Sequence, residues 1–331
     1  MASSAEYSEY SKEKGDEQHL LALPNNRQVA YACNGPEAAT TVVLFFSGLM
    51  SIGSARSVPA PCQRIGARWI APTPPGMGRS STRDLAVPYH VSLARDMTAL
   101  LDHLYPSGAY STLYVAGGSY GTVLAQMLYG APRALFPAGR AIAGAVLLAG
   151  FSPYRHDAHY ARALGWQAWL SVGPPARLPG RPLQRLFRAA LAAKMGSVDG
   201  AAAFLRGTLL DPMDAAEKEQ LGTYLAAQGE TEHEFVARMA RAAVESCRNW
   251  DGFMEVADVL HADWGFEPAA LDGAHGKPLL VVGSAGDAIG SMNSAWLAEN
   301  YANATAKTIP GGHISSLYYM DDIWEEMMTW M

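Results

Sequence analysis

Residues 112–129, TLYVAGGSYGTVLAQMLY, form the stretch of sequence that decides the fold. The first five residues are mostly apolar or β-branched and predict a strand, whereas residues 120–129 predict a helix. Between them lies Gly-Gly-Ser-Tyr-Gly, residues 117–121, with Ser119 at the centre. A strand that turns sharply into a helix strains its central residue and needs small neighbours, which Gly117 and Gly121 provide. The pattern therefore predicts a Ser119 hydroxyl at the carboxyl end of a strand, beside the positive end of a helix.

This placement makes Ser119 a candidate nucleophile. The backbone N–H of Tyr120, the first of the predicted helix, can donate a hydrogen bond to an oxyanion formed at the serine. A glycine-rich turn without chemistry is the alternative, and the strand before it and the helix after it favour the nucleophile.

Further strands and helices are predicted on both sides of this stretch. The strand candidates are residues 19–23, 28–33, 41–46, 68–71, 141–149, 278–282 and 304–309. Helical spacing of apolar residues occurs at 91–105, near 294–301 and from Ser316 onward. Alternation of strands and helices predicts an α/β fold with a mostly parallel sheet flanked by helices.

The middle of the chain has a different pattern. It is rich in Ala, Arg and Leu at helical spacing, with breaks at Pro174-Pro175, Pro179-Gly180 and Gly229. We therefore expect a flexible N-terminal tail at residues 1–18, a core formed by 19–150 and 277–331, and a helical cap (lid) inserted at 151–276.

Composition and charge exclude several classes of protein. Of 331 residues, 49% are hydrophobic and 17% charged, an ordinary globular composition, and the net charge of −6 does not favour a nucleic-acid partner. We expect no membrane partner, because no apolar stretch approaches about 18 residues and the polar N-terminus does not resemble a secretory signal. Three widely spaced cysteines, Cys33, Cys62 and Cys247, favour a reduced cytoplasmic protein. The oligomeric state is not indicated.

A serine nucleophile needs a base, and the base needs an orienting acid. His313 is the candidate base, because it lies in a glycine-containing loop directly after the last predicted strand. Asp287 is the candidate acid, in the loop Gly-Ser-Ala-Gly-Asp that follows the strand PLLVV. All three candidates follow the carboxyl end of a strand, which is the edge where open α/β sheets bind ligands. A turn aspartate that satisfies local backbone donors and a loop histidine without a role are the alternatives.

From residue 19 onward, the chain resembles the α/β-hydrolase family with a helical cap. The order Ser119, Asp287, His313 is the order of that family. Phe46-Ser47-Gly48-Leu49 is similar to the family's oxyanion loop, so the resemblance implies that the backbone N–H of Leu49 is a second oxyanion donor.

The segment APTPPGMGRS, residues 71–80, is similar to the family's Pro-Gly-x-Gly-x-Ser segment. The chain departs from the family at two positions: Ser47 stands where the family usually has histidine, and Thr73 where it usually has aspartate. Neither departure removes a member of the Ser119, Asp287 and His313 set.

The resemblance implies an esterase-like serine hydrolase. A serine nucleophile favours acyl chemistry, which includes cleavage of esters, lactones, thioesters, amides or a carbon–carbon bond next to a carbonyl. We expect cleavage of a carboxylic ester, lactone or thioester through an acyl-enzyme on Ser119, and the sequence does not decide among these bonds. No metal cluster, phosphate loop or dinucleotide fingerprint is present, so we expect no cofactor and no metal.

The substrate is expected to be a small, largely apolar molecule. Apolar and aromatic cap residues should form mainly the cap's own core, while some face the cleft. They are Phe151, Tyr154, Trp166, Trp169, Leu170, Phe187, Phe204, Leu205, Trp250, Phe253 and Met254.

Two alternative functions stay open. The sequence Gly-Gly-Ser-Tyr-Gly also resembles the elbow of proline-iminopeptidase-like aminopeptidases, whose caps supply carboxylates for the amino group of the substrate. The cap has five candidates, although a run of charges is usually a solvated face. They are Glu217, Glu219, Glu230, Glu232 and Glu234. The other alternative is a small-molecule receptor that binds without turnover.

Overall fold

A computed structural model describes residues 19–271, 273–287 and 290–330. The tail predicted at residues 1–18 lies outside this described part. Eight strands form one sheet. They are β1 (His19–Leu23), β2 (Arg27–Asn34), β3 (Thr41–Phe46), β4 (Arg68–Pro72), β5 (Thr112–Gly118), β6 (Ile142–Leu148), β7 (Leu279–Ser284) and β8 (Ala304–Ile309).

The sheet has the order β1-β2-β4-β3-β5-β6-β7-β8. The pairs β1–β2 and β2–β4 are antiparallel, and every other neighbouring pair is parallel. The prediction of a mostly parallel α/β sheet is confirmed.

Eleven α-helices lie within the described residues. They are α1 (Ala60–Arg64), α2 (Tyr89–Leu104), α3 (Gly121–Tyr129), α4 (Trp166–Val172), α5 (Pro182–Ala192), α6 (Val198–Leu205), α7 (Ala215–Gln228), α8 (Glu232–Ser246), α9 (Asp251–His261), α10 (Gly290–Asn300) and α11 (Met320–Thr329). A π-helical turn, Arg206–Leu210, follows α6, and a 3₁₀ turn, Ser315–Tyr319, precedes α11.

The hydrophobic core lies on both faces of the sheet. Side chains alternate between the two faces along a strand. In β3, Leu44 belongs to the core layer formed with α2 and α3, whereas Val43 belongs to the layer that contains Trp324 of α11. Helices therefore cover both faces, which explains why β3 is a continuous apolar run rather than an alternating one.

Several predicted boundaries differ from the observed ones by one to four residues, and two of these differences have a clear physical reason. The helix after Ser119 begins at Gly121 rather than Tyr120, because the sharp turn occupies Ser119 and Tyr120 serves as the N-cap residue. Strand β7 begins after Pro278 rather than with it. Proline has no N–H for a strand ladder, and Pro278 contributes only its carbonyl, which accepts from the Ala145 N–H.

A helical insertion, residues 149–278, connects β6 to β7 and contains α4 to α9. Its helices α6 and α8 pack together through small residues, among them Ala201, Ala240 and Ala243. No helix in the described ranges combines the length and the apolar character that crossing a bilayer requires.

Candidate active site

Ser119 occupies a sharp turn between β5 and α3. Its backbone is left-handed, with a φ of 50°. Residues that carry a Cβ rarely adopt this conformation. Hydrogen bonds hold the turn on both sides. The Ser119 N–H donates to the Leu148 carbonyl of β6 at 2.8 Å, and the Thr122 hydroxyl donates to the Ser119 carbonyl at 2.6 Å. The neighbouring strand and the first turn of α3 thus stabilise the strained residue.

The glycines around Ser119 differ in what they permit. A Cβ on Gly117 would overlap the backbone of Gly121, and a Cβ on Gly121 would overlap the Phe46 carbonyl oxygen of β3. A Cβ on Gly118 would meet nothing within 4 Å. The requirement for small residues is therefore confirmed at Gly117 and Gly121, and space does not require it at Gly118.

The structure brings the three predicted side chains together. His313 Nε2 lies 3.0 Å from Ser119 Oγ, and His313 Nδ1 lies 2.7 Å from Asp287 Oδ2. Because a carboxylate only accepts hydrogen bonds, the pairing with Asp287 places a proton on Nδ1. In the neutral imidazole Nε2 is then free to accept the hydroxyl proton of Ser119.

Asp287 and His313 lie in loops that are bonded to each other. The Ala285 N–H donates to the Ile309 carbonyl and the Gly286 N–H to the Gly311 carbonyl, both at 2.9 Å. The Asp287 side chain is 6% exposed and that of His313 is 32% exposed. The Asp287 carboxylate is therefore buried between two loops that are hydrogen-bonded to each other, while the His313 imidazole faces an open space.

The two proposed oxyanion donors are Leu49, in the loop after β3, and Tyr120, which directly follows Ser119. In the described part of the chain, neither the Leu49 N–H nor the Tyr120 N–H donates to another protein atom. A Cβ on Gly48, which precedes Leu49, would lie 3.2 Å from the Ser119 Cβ. The loop after β3 therefore approaches the serine closely and leaves both N–H groups available to a ligand.

The Tyr120 side chain has a structural role. It is 2% exposed. Burial, together with its contact and hydrogen bond with Tyr89, raises the pKa of the Tyr120 phenol well above its ordinary value. The phenol therefore stays protonated inside the core, and only the backbone of Tyr120 is available for chemistry.

A cavity of about 450 Å³ opens onto Ser119 and His313. Its walls come from the loop after β3, from the segment after His313 and from the helical insertion. The insertion contributes Phe204, Leu205, Thr208, Leu209, Arg238, Met239 and Ala242. The segment after His313 adds Ile314, Ser316 and Leu317. The walls are mainly apolar, and Arg238 brings the one permanent charge among the described lining residues.

Sequence reasoning found only part of this wall. Phe204 and Leu205 were expected among eleven apolar cap residues, and none of the other nine belongs to the described lining. Trp166, for example, is 72% exposed, whereas Tyr154 is buried in the core of the sheet. The missed residues Met239 and Ala242 stand three apart on α8, a spacing that places both on one helix face.

Two of the cap glutamates are not on a solvated face, so that interpretation is wrong for them. Glu217 is buried, and its carboxylate accepts the Gly312 N–H at 2.9 Å. Glu230 forms a bidentate pair with Arg238, at 2.8 and 2.9 Å. Glu219, Glu232 and Glu234 are exposed. The sequence did not single out Glu217, because its signals are weak. They are the glycines that precede His313 and an acidic residue in the first turn of α7, and both features are common in other settings.

The two residues that depart from the family pattern, Thr73 and Ser47, have different surroundings. Thr73 is buried, and its hydroxyl accepts the Gly53 N–H at 3.0 Å, which ties the loop after β4 to the loop after β3. The Ser80 hydroxyl donates to the Thr73 carbonyl at 2.8 Å. Ser47 lines the cavity.

Across the described ranges, no group of three or more His, Cys, Asp or Glu residues could hold a metal ion.

Solved structures with the same fold cover nearly the whole chain. A hydrolase from Pseudomonas aeruginosa PA01 has 18% identity and a TM-score of 0.58, with 94% of this chain and 98% of that chain covered. An enol-lactonase from Burkholderia xenovorans LB400 has 17% identity and a TM-score of 0.60, with 94% and 100% covered. A thermophilic esterase from Thermogutta terrifontis has 15% identity and a TM-score of 0.57, with 95% and 97% covered. Likeness at these identities shows the fold.

A family model extends this result to the sequence level. No curated protein matches the sequence. The model of the alpha/beta hydrolase family, however, matches residues 45–326, a range that begins in β3 and ends in α11. The match spans far more than half of the chain and includes the loops that carry Ser119, Asp287 and His313. The chain therefore belongs to the alpha/beta hydrolase family.

Proposed function

We propose that the chain is a serine hydrolase that cleaves a carboxylic ester, lactone or thioester of a small, largely apolar substrate. The observation that carries this proposal is the hydrogen-bonded series Ser119, His313, Asp287, of which Ser119 and His313 line a cavity of about 450 Å³. Family membership supports hydrolysis, and the solved esterase and lactonase relatives share the fold.

In the first half of the reaction, Ser119 Oγ attacks the carbonyl carbon while His313 Nε2 takes the hydroxyl proton. The carbonyl oxygen becomes an oxyanion that accepts the N–H groups of Leu49 and Tyr120. Losing one such donor typically costs about 3–4 kcal/mol of transition-state stabilisation. The bond to the leaving group then breaks, Nε2 returns the proton to the leaving oxygen or sulfur, and the acyl group stays on Ser119.

In the second half, water attacks the acyl-enzyme. His313 Nε2 takes a proton from the water, the bond to Ser119 Oγ breaks, and the serine regains its proton. Asp287 accepts the Nδ1–H throughout and stabilises the imidazolium that forms in each half. A carboxylic acid leaves, and the residues return to their starting protonation states.

Strained backbone at the cavity supports a binding role. Six non-glycine residues in the described ranges have a positive φ, and Met50, Ser119 and Ala149 among them line this cavity. Such strain costs about 1–3 kcal/mol per residue and tends to cluster at functional sites. These three residues follow β3, β5 and β6 respectively, where the carboxyl ends of the strands meet.

We propose that residues 151–276 act as a cap that sets substrate choice. The insertion supplies apolar wall residues such as Phe204, Leu209 and Met239. The charge of Arg238 is paired with Glu230, so the wall presents no unpaired cation at that point. An apolar or aromatic acyl or alcohol group fits these surroundings, since apolar walls with few polar groups are typical of small-molecule sites.

The positions of the glutamates speak against the aminopeptidase alternative. A site for an α-amino group needs a carboxylate in the cavity wall, and none of the five cap glutamates is among the described lining residues. Glu217 and Glu230 are engaged with Gly312 and Arg238, as described above.

The test is a panel of p-nitrophenyl esters from acetate to decanoate, with S119A and with S111A as a control on the protein surface. We expect turnover by the wild type and by S111A, and none by S119A above the rate in buffer. A fluorophosphonate should add once to the wild type by intact mass and not to S119A. A wild type no faster than S119A on every ester of the panel would contradict the proposal. Proline β-naphthylamide is assayed beside the panel, and its turnover would favour the peptidase.

A further inference from the structure

Glu217 connects the helical insertion to the loop of the proposed base. It lies in the first turn of α7, where the Asp214 side chain caps the helix and accepts the Glu217 N–H at 2.8 Å. The Glu217 carboxylate is turned into the protein, at 7% exposure, and accepts the N–H of Gly312 at 2.9 Å. Gly312 directly precedes His313, so this bond acts one residue from the imidazole.

The glycines before His313 make room for this carboxylate. Gly311 has a φ of 90°, and a Cβ there would lie 3.1 Å from the Glu217 carboxyl carbon. A Cβ on Gly312 would lie 3.4 Å from both carboxylate oxygens. The carboxylate is therefore packed against the backbone of the loop as well as bonded to it.

Helix α7 also holds the chain after His313. The ring of Tyr224 on α7 packs against the ring of Tyr318, with centroids 5.6 Å apart. Burial, and then the nearby charge of Glu217, raises the pKa of the Tyr318 phenol. One helix of the insertion thus contacts the loop on both sides of His313, with a hydrogen bond before it and an aromatic pair after it.

We propose that Glu217 is a positioning residue for His313 in the proposed hydrolysis. By accepting the Gly312 N–H, it fixes the loop so that Nε2 stays within hydrogen-bond reach of Ser119 Oγ. The inference rests on the proposed function. Without an acceptor, the partly buried N–H of Gly312 loses its partner and the loop shifts to satisfy it. A displacement of about 1 Å at a reacting group can cost about 10²-fold in rate.

This role gives the insertion a second task beside forming the cavity wall. The same segment that contacts the substrate then also holds the base, so a change in its packing would alter the rate as well as substrate choice. His313 receives its orientation from two carboxylates of different origin: Asp287 from the core acts on the ring itself, and Glu217 from the insertion acts on the backbone of its loop.

The test compares two substitutions of Glu217. E217L keeps a buried side chain of similar size but has no acceptor atom, whereas E217Q keeps an acceptor oxygen and loses the charge. E219L, at an exposed position two residues along α7, is the matched control. Steady-state kinetics on the best ester of the panel give kcat and KM separately. Amide exchange of Gly312 by ¹H–¹⁵N NMR, at a temperature where each variant is folded, reads the bond without turnover.

We expect kcat of E217L to fall by about 10- to 100-fold with KM within about twofold, because a transition-state geometry is lost rather than a binding contact. E217Q should recover kcat to within about threefold of the wild type, E219L should match the wild type, and the Gly312 amide should exchange faster in E217L alone. Unchanged kcat in E217L, or an equal loss in E217Q or E219L, would overturn the inference while the proposed function stands. A wild type without any hydrolase activity would overturn the proposed function and this role with it.

Discussion

The strand–turn–helix around Ser119 (the elbow) and the helical insertion differ in how tightly their residues are packed. At the elbow, the backbone is strained, Gly117 and Gly121 have no room for a side chain, and strand β6 and the first turn of α3 both form hydrogen bonds with Ser119. In the insertion, α4 has no buried residue and α5 buries only Gln184. A reacting atom must be held to a fraction of an ångström, whereas an apolar wall needs only the right kind of surface. At Ser119 that precision comes from the packing of the core.

The largest effect should come from Ser119, the proposed nucleophile. We expect S119A to lower kcat by about 10⁶-fold, as loss of the nucleophile does in a comparable triad. The free energy of unfolding should change little, because alanine keeps the Cβ and the strained φ. Ester hydrolysis together with urea denaturation checks both parts. Residual turnover within about 100-fold of the wild type would mean that the elbow does not carry the nucleophile.

Changing the acid should have a smaller effect, because it acts through His313. In D287N the side chain keeps its shape but no longer holds the Nδ1 proton, and kcat should fall by about 10⁴-fold. KM should stay close to the wild-type value, since Asp287 does not line the cavity. Full kinetics on one ester, with D258N on α9 as a carboxylate control in the insertion, test this. Equal effects of the two substitutions would erase the contrast between core and insertion.

Substitutions of the elbow glycines Gly121 and Gly118 should differ in their effect on the free energy of unfolding. G121A drives a methyl group into the Phe46 carbonyl and should lose about 3 kcal/mol of unfolding free energy. G118A places its methyl group in open space and should change the unfolding free energy by less than about 1 kcal/mol. Urea denaturation of the pair decides the question. Equal losses would show that the elbow is not limited by space in the way the structure implies.

The smallest effects should come from the apolar side chains of the insertion. M239A removes an apolar wall contact, and the ratio of kcat/KM for decanoate to that for acetate should fall by about 10-fold. W166A removes an exposed ring and should change either value by less than about twofold. Kinetics across the ester panel provide the measurement. A shift in chain-length preference in W166A, with none in M239A, would show that the substrate contacts the region of Trp166 rather than that of Met239.

The sequence predicted the parts of this protein that depend on local pattern. The stretch 112–129 identifies its own strand, turn and helix, since each is encoded by neighbouring residues. The loops of Asp287 and His313 were placed at strand ends by the same reasoning, and parallel strands bring those ends to one edge. The catalytic roles of the three residues stay predictions, while the structure places their side chains within hydrogen-bond distance of one another.

The cavity wall could not be predicted in the same way. Trp166 and Met239 both belong to helices with apolar residues at helical spacing, yet one is exposed and the other lines the cavity. Which face of a short helix meets the cleft depends on how the helices of the insertion pack, and that packing involves residues far apart in sequence. Helical periodicity identifies an apolar face but not what it faces.

The sequence by itself determined the fold class, the strand–turn–helix around Ser119 and the order of the candidate residues, because strand, turn and helix signals act over a few neighbouring positions. Only the tertiary structure decided that Glu217, 95 residues before Gly312, bonds to the loop of His313. It also decided that Met239 lines the cavity and that Glu230 neutralises Arg238. These contacts join helices of the insertion to each other and to the core, and no local propensity encodes such a meeting. Their energies come from burial and from satisfying a donor, which exist only after the chain has folded.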